Sequence, residues 1–182
     1  MNIPNTLTLL RIVLIPVFVL VFYLPISWSN EVACIIFVVA AVTDIFDGYL
    51  ARRLNQLSKL GAFLDPVADK LMVAVALVLI VERQPNIVLA LPAAVIICRE
   101  ITVSALREWM AEIGARSKVA VSLLGKVKTI SQMVALGFLI FHESVLGLPV
   151  YGIGLVLLYV AAILTLISMF QYLRIAWPEL KD

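Results

Sequence analysis

The sequence predicts an all-α, polytopic membrane protein with six transmembrane helices and a short interfacial helix at its N-terminus. Hydrophobic residues make up 63% of the chain and charged residues only 14%, whereas soluble domains contain about 45–50% and about 25%. The mean hydropathy is +1.09. The apolar residues form runs of roughly twenty, the helix length that crosses about 30 Å of hydrocarbon. We expect one membrane domain over residues 1–182.

The first apolar segment contains a charged residue close to its start. Arg11 lies within TLTLLRIVLIP, so we expect a short interfacial helix that turns into a membrane span at about Pro16. A cleavable signal peptide is the competing interpretation. It is disfavoured because no small-residue cleavage site follows the apolar run.

Six apolar segments, separated by short polar turns, are interpreted as spans. Trp28 follows the first of them and is typical of a membrane–water interface. Pro178 argues against regular helix beyond the last one. The expected spans are approximately 7–25, 31–53, 61–81, 86–108, 121–141 and 149–173.

Positive charges lie mainly on one side of these spans. Of the lysines and arginines, only Arg83 lies in the turns near 26–31, 82–86 and 142–148. The positive-inside rule therefore predicts that both termini and the turn with the aspartates Asp44, Asp47, Asp65 and Asp69 lie on the cytoplasmic side, and an even number of spans agrees with this. The cations on that side are Arg11, Arg52, Arg53, Lys59, Lys70 (a little deeper in the membrane), Arg107, Arg116, Lys118, Lys126, Lys128, Arg174 and Lys181.

Cysteine and histidine chemistry is disfavoured by the composition. Cys34 and Cys98 lie inside apolar segments without a metal-ligand spacing, so we interpret both as small apolar residues. The one histidine, His142, ends an apolar run. A histidine-based nucleophilic mechanism is therefore not expected.

Four aspartates lie in or beside apolar runs, where an unpaired carboxylate is costly. Asp44 and Asp47 are three residues apart, and Asp65 and Asp69 are four apart. On helices each pair shares a face. A single carboxylate near a helix end often just faces water, but four of them on adjacent spans at one membrane side favour a common site.

The chemistry of such a site follows from its charge. Four close carboxylates repel one another unless cations neutralise them. Oxygen ligands select hard ions such as Mg²⁺, Mn²⁺ or Ca²⁺ over zinc, and a paired cluster suits two ions acting on a phosphoryl group. Gly48 and Gly61 permit close approach of a substrate or a helix. Arg52 could hold a phosphate, and the alternative for Arg52 is a role in membrane topology and contact with anionic lipid.

These residues resemble the signature of the CDP-alcohol phosphotransferases. Every position of that signature is filled at the family spacing. The pattern here is Asp44-x-x-Asp47-Gly48-x-x-Ala51-Arg52, eight residues, and Gly61-x-x-x-Asp65-x-x-x-Asp69.

The resemblance implies the six-helix CDP-alcohol phosphotransferase fold and a metal-dependent transfer reaction. It implies that two divalent cations, Mg²⁺ or Mn²⁺, are bound by the four aspartates, and that Asp69 is also the general base. The residues implied in binding the CDP group are Gly48, Ala51, Arg52 and Gly61.

A second basic set bears on the acceptor alcohol. Arg99 and Arg107 are eight residues apart, on roughly one helical face, and Lys126 and Lys128 begin the fifth span. Several cations near one membrane depth suit an acceptor that carries its own phosphate. The alternative is that Arg99 pairs with Glu100 or another acid and the others only obey the positive-inside rule.

The resemblance extends over nearly the whole chain, through NIPNTLTLLRIVLIP, DPVADK, REITVSALRE and GKVKT. It implies a homodimeric enzyme of the bacterial inner membrane that works in the lipid bilayer. The implied reaction transfers a phosphatidyl group from CDP-diacylglycerol to sn-glycerol 3-phosphate, giving phosphatidylglycerophosphate and CMP. No nucleic-acid partner is expected.

Two alternatives remain open. One keeps the family and changes the acceptor to serine or an inositol phosphate, because the core signature does not separate acceptors. The other is a divalent-cation transporter that uses intramembrane aspartates. The transporter is disfavoured because the aspartates lie towards one membrane face with arginine nearby.

Overall fold

Six long α-helices are present in the residues that the computed structural model describes, which are 3–53, 59–115, 123–144 and 147–179. Each coincides with one expected span, and their ends differ from the expected ones by a few residues. The all-α class is confirmed. The helices are α1 (Ile3–Phe22), α2 (Ser29–Arg53), α3 (Lys59–Arg83), α4 (Ile87–Glu112), α5 (Leu123–Phe141) and α6 (Val150–Ala176).

Three helices contain stretches that are long and apolar enough to cross a membrane, namely Asn5–Phe22, Ile87–Glu112 and Val150–Ala176. A shorter apolar stretch, Val127–Phe141, lies in α5. The outer helix surfaces expose large apolar side chains such as Leu20, as expected of a chain that faces lipid. The protein is therefore a membrane protein, and the number of six spans stays a prediction.

The N-terminal segment differs from the expectation. Within the described residues it is one continuous helix, with Pro16 inside it, rather than an interfacial helix that turns at Pro16. A proline is tolerated in a membrane helix because neighbouring groups can satisfy the freed carbonyl. Arg11 does not need the interface, since it is only 1% exposed and forms an ion pair with Asp44 of α2.

Helix α3 lies at the centre of the bundle. It contacts α1, α2, α4 and α5, while α5 packs along α6 and α6 also contacts α4. The main apolar core includes the buried side chains of Phe18, Phe37, Leu77, Ile96 and Leu136. The position of α3 matters for function, because this helix carries two of the four aspartates.

Helix α6 packs closely against α5 at Gly154. A Cβ atom there would lie 3.0 Å from Cβ of Phe138, 3.1 Å from Cγ of Leu139 and 3.2 Å from the carbonyl oxygen of Ala135. We expect Gly154→Ala to lower the free energy of unfolding by about 1–3 kcal/mol, because overpacking displaces the neighbouring helix. Unfolding in mixed detergent micelles would measure this loss.

The matched control is Gly152, which lies two residues earlier on the same helix. A Cβ atom there would meet only Cβ of Pro149, at 4.0 Å. Gly152→Ala should be neutral or slightly stabilising, because alanine restricts the unfolded chain without a clash. Equal stability of the two variants would contradict the close approach at Gly154.

Candidate active site

The structure describes three of the four predicted aspartate side chains. Asp44 lies in the second half of α2, and Asp65 and Asp69 lie in the first half of α3. Asp44 is within electrostatic range of both Asp65 and Asp69. The fold therefore places Asp44 of α2 near the two aspartates of α3.

Several predicted site residues have side chains that lie outside the described residues. Asp47, Gly48, Ala51 and Arg52 belong to α2, and Lys126 belongs to α5. Of the predicted CDP-binding set, only Gly61 is described, and it is buried near the start of α3.

Helix α1 contributes two residues to the aspartate site that the sequence analysis did not assign to it. Arg11 donates from Nη1 to Oδ1 of Asp44 at 2.5 Å. Thr8 donates from Oγ1 to Oδ1 of Asp65, also at 2.5 Å. Thr8 and Arg11 are three residues apart on one face of α1. That spacing, of a polar and a charged residue in an apolar run, is the signal that could have identified them.

The aspartate site consists of oxygen donors. Carboxylate oxygens are the ligands that Mg²⁺ and Mn²⁺ prefer, so the chemistry of Asp44, Asp65 and Asp69 suits a hard divalent cation. Among the described side chains, no group of three or more His, Cys, Asp or Glu residues forms a ready-made metal centre. The side chain of the fourth predicted ligand, Asp47, lies outside the described residues, so the ligand set stays a prediction.

A polar cavity of about 260 Å³ lies beside Asp69. The structure brings Arg99, Arg107 and Lys128, three of the four predicted acceptor-phosphate residues, to the wall of this cavity with the predicted base. The complete lining is Pro66, Asp69, Lys70, Val73, Arg99, Glu100, Arg107, Lys128, Thr129, Gln132, Met133 and Tyr172.

Glu100 connects two cations of the cavity wall. Its Oε1 forms an ion pair with Nζ of Lys128 and accepts a hydrogen bond from Nη1 of Arg99 at 3.1 Å. Arg99 also donates from Nη2 to Oγ of Ser168 at 2.9 Å and lies over the ring of Tyr172. The ion pair between Arg99 and Glu100, which the sequence offered as the alternative to phosphate binding, is thus present. Glu100 shares its carboxylate between Arg99 and Lys128.

The burial of Arg99 and Lys128 favours a role in a binding site over a role in membrane topology alone. Arg99 is 8% exposed and Lys128 is 3% exposed, whereas Arg107 is exposed. Charges that serve only the positive-inside rule lie in loops and at span ends. Arg99 and Lys128 are instead held inside the bundle by a shared carboxylate, facing a cavity.

An apolar groove of about 600 Å³ adjoins the polar cavity. Met133 lines both, so the two share one wall residue. Along α2 the groove extends from Cys34 to Val42, two residues before Asp44, which is about 12 Å of helix. The remaining groove residues are Phe37, Val38, Ala41, Val134, Gly137, Phe138, Phe141, Leu148 and Val150.

Comparison with known proteins gives consistent results. The model of the CDP-alcohol phosphatidyltransferase family matches residues 1–167. The chain is 59% identical over 181 residues to a protein of Escherichia coli strain K12 named CDP-diacylglycerol--glycerol-3-phosphate 3-phosphatidyltransferase. A protein of the same name from Shigella flexneri serotype 5b is also 59% identical. Each match covers 100% of this chain and 98% of the relative.

Proposed function

Because the chain belongs to the CDP-alcohol phosphatidyltransferase family, we propose that it transfers a phosphatidyl group from CDP-diacylglycerol to sn-glycerol 3-phosphate. The products are phosphatidylglycerophosphate and CMP. The names of relatives that are 59% identical over the full chain support this reaction. The structural observation that carries it is the cavity in which Asp69 faces Arg99, Arg107 and Lys128.

The basic side of the cavity supports a phosphorylated acceptor over serine. Arg99 and Lys128 are buried, and a phosphate is the kind of group that forms several charge-assisted hydrogen bonds with such cations. Glu100 fixes both cations before the acceptor arrives, so little reorganisation is needed on binding. Lys126, by the sequence pattern, joins the same acceptor site.

The reaction at the acceptor end follows from this placement. An acceptor whose phosphate lies among the cations can direct its 1-hydroxyl towards Asp69, which takes the proton. The hydroxyl oxygen then forms a bond to the phosphorus of the phosphatidyl group, and the bond from that phosphorus to CMP breaks. CMP leaves with the electron pair. Holding both reactants in line supplies much of the acceleration.

The donor end uses the four aspartates and the signature residues of α2 and α3. Asp44, Asp47, Asp65 and Asp69 are proposed to hold two divalent cations, Mg²⁺ or Mn²⁺, as expected for this family. When bound, such cations stabilise negative charge on the pyrophosphate. The CDP group is proposed to contact Gly48, Ala51, Arg52 and Gly61.

The lipid nature of the donor requires apolar surface next to a polar site. The groove that shares Met133 with the polar cavity supports this, because an acyl chain fits its apolar lining. The charge distribution supports an active site and both termini on the cytoplasmic side of a bacterial inner membrane. A homodimer is proposed from the family resemblance.

An acceptor panel tests the proposed function. Membranes containing the protein should release CMP from CDP-diacylglycerol only when sn-glycerol 3-phosphate and Mg²⁺ or Mn²⁺ are both present. Serine and an inositol phosphate should support less than about a hundredth of that rate, since neither matches the cavity in both charge and size. Chelation with EDTA should abolish release, and added Mg²⁺ or Mn²⁺ should restore it.

The controls separate the alternatives. Membranes without the protein set the background. Equal CMP release with serine would contradict the acceptor assignment, and full release in EDTA would contradict the metal requirement. Cation flux into proteoliposomes without any CMP release would favour the transporter.

A further inference from the structure

Two buried polar atoms on the wall of the polar cavity have no hydrogen-bond partner among the described residues. They are Nε of Arg99 and Oε1 of Gln132. Gln132 is 3% exposed, and both residues line the cavity with Asp69. Leaving a buried polar group unsatisfied costs about 1–3 kcal/mol. Two such atoms at one cavity indicate that a polar ligand supplies their partners.

The two atoms require partners of opposite kinds. The Nε–H group of Arg99 is a donor and suits an anionic oxygen, whereas Oε1 of Gln132 is an acceptor and needs an O–H or N–H group. A single ligand that satisfies both carries an anionic oxygen together with a hydroxyl or amino group. The acceptor in the proposed function has this chemistry, and it has one hydroxyl more than the reaction consumes.

We propose that Gln132 accepts a hydrogen bond from the 2-hydroxyl of sn-glycerol 3-phosphate and is thereby a specificity-determining residue. This inference rests on the proposed function. The attacking 1-hydroxyl is directed to Asp69, so the 2-hydroxyl is the remaining donor. A site built to hydrogen-bond a hydroxyl discriminates strongly against an analogue that lacks it, because its own buried polar atom is then left unpaired.

The arrangement of α5 supports this assignment. Gln132 follows Lys128 by four residues on this helix, so the two side chains share a face. The rise between them is roughly 6 Å, at 1.5 Å per residue. A phosphate bound by Lys128 and Arg99 thus leaves the carbon chain of the acceptor within reach of Gln132. Asp69, on α3, forms part of the same cavity wall.

The test compares two acceptors in two proteins. Wild type and Gln132→Leu are assayed for CMP release with sn-glycerol 3-phosphate and with 3-hydroxypropyl phosphate, which lacks only the 2-hydroxyl. In wild type we expect kcat/KM to be about 10- to 100-fold higher for glycerol 3-phosphate, the range of one buried hydrogen bond. In Gln132→Leu this ratio should fall to about threefold or less, because leucine cannot accept the hydrogen bond.

Two further variants keep the test decisive. Gln171→Leu makes the same chemical change at an exposed position of α6 outside the cavity lining, and its ratio should equal that of wild type. Gln132→Asn keeps the amide but withdraws it by one carbon, and its ratio should be intermediate. It also provides a measurement if Gln132→Leu does not fold.

The outcomes separate specificity from packing. A purely structural role for Gln132 would lower kcat/KM for both acceptors equally and leave the ratio unchanged, which would overturn the inference. Equal use of both acceptors by wild type would also overturn it. A wild type that releases no CMP with either acceptor would refute the proposed function itself, and the inference with it.

Discussion

Asp69→Asn is expected to reduce kcat for CMP release by about 10²–10⁴-fold or more, with the fold intact. The carboxamide has nearly the same shape as the carboxylate but cannot take the proton of the acceptor, and general base catalysis contributes typically about 10²–10⁴-fold. Asparagine is also a weaker ligand for a divalent cation. Asp69 lines the cavity with the cations proposed to hold the acceptor phosphate. The loss of the base and the weaker metal binding therefore both affect the same active site.

The measurement is CMP release at saturating donor and acceptor, together with unfolding of the same preparation. Glu112→Gln makes the same change at an exposed carboxylate near the end of α4 and should keep kcat within about twofold of wild type. A kcat of Asp69→Asn close to that of Glu112→Gln would exclude Asp69 as the base. A loss of stability alone would instead assign Asp69 a structural role.

Glu100→Leu is expected to lower the free energy of unfolding by about 3–5 kcal/mol. The carboxylate of Glu100 is the shared partner of Arg99 and Lys128, whose side chains are 9% and 4% exposed. Removing one partner of a buried ion pair leaves an uncompensated buried charge, which is the costly event. Here two cations of the same sign would remain close to each other.

Unfolding by SDS in mixed micelles would measure this effect. Glu108→Leu is the matched control, because Glu108 is exposed on the same helix, and it should change stability by less than about 0.5 kcal/mol. The double variant Glu100→Leu/Lys128→Met should recover part of the loss, because one unpaired cation is removed. A Glu100→Leu variant as stable as Glu108→Leu would contradict the shared ion pair.

The helices were predictable because hydropathy is a local property of the chain. The expected last span, 149–173, corresponds to Val150–Ala176, and the expected second span, 31–53, corresponds to Ser29–Arg53. A run of apolar residues identifies a membrane helix without knowledge of its neighbours. The same reasoning did not describe α1 correctly, because the partner of Arg11 lies 33 residues away, at Asp44.

Part of the active site was likewise predictable from local features of the sequence. The spacing of Asp65 and Asp69 already placed both on one helical face, and the signature that they complete with Asp44 and Asp47 led to the family that the comparisons then established. The chemical character of the donor set, oxygen ligands for hard cations, was also readable from residue types. None of this required contacts between helices.

By itself, then, the sequence determined the class of the protein, its helices and the carboxylate signature, because periodicity along a helix decides which residues share a face. Only the tertiary structure decided which faces meet. Packing joins Glu100 to Lys128 across 28 residues, sets Thr8 and Arg11 of α1 against the aspartates, and turns Gln132 into a cavity with Asp69. Such partners depend on how helices pack against one another, which the spacing along one helix does not encode.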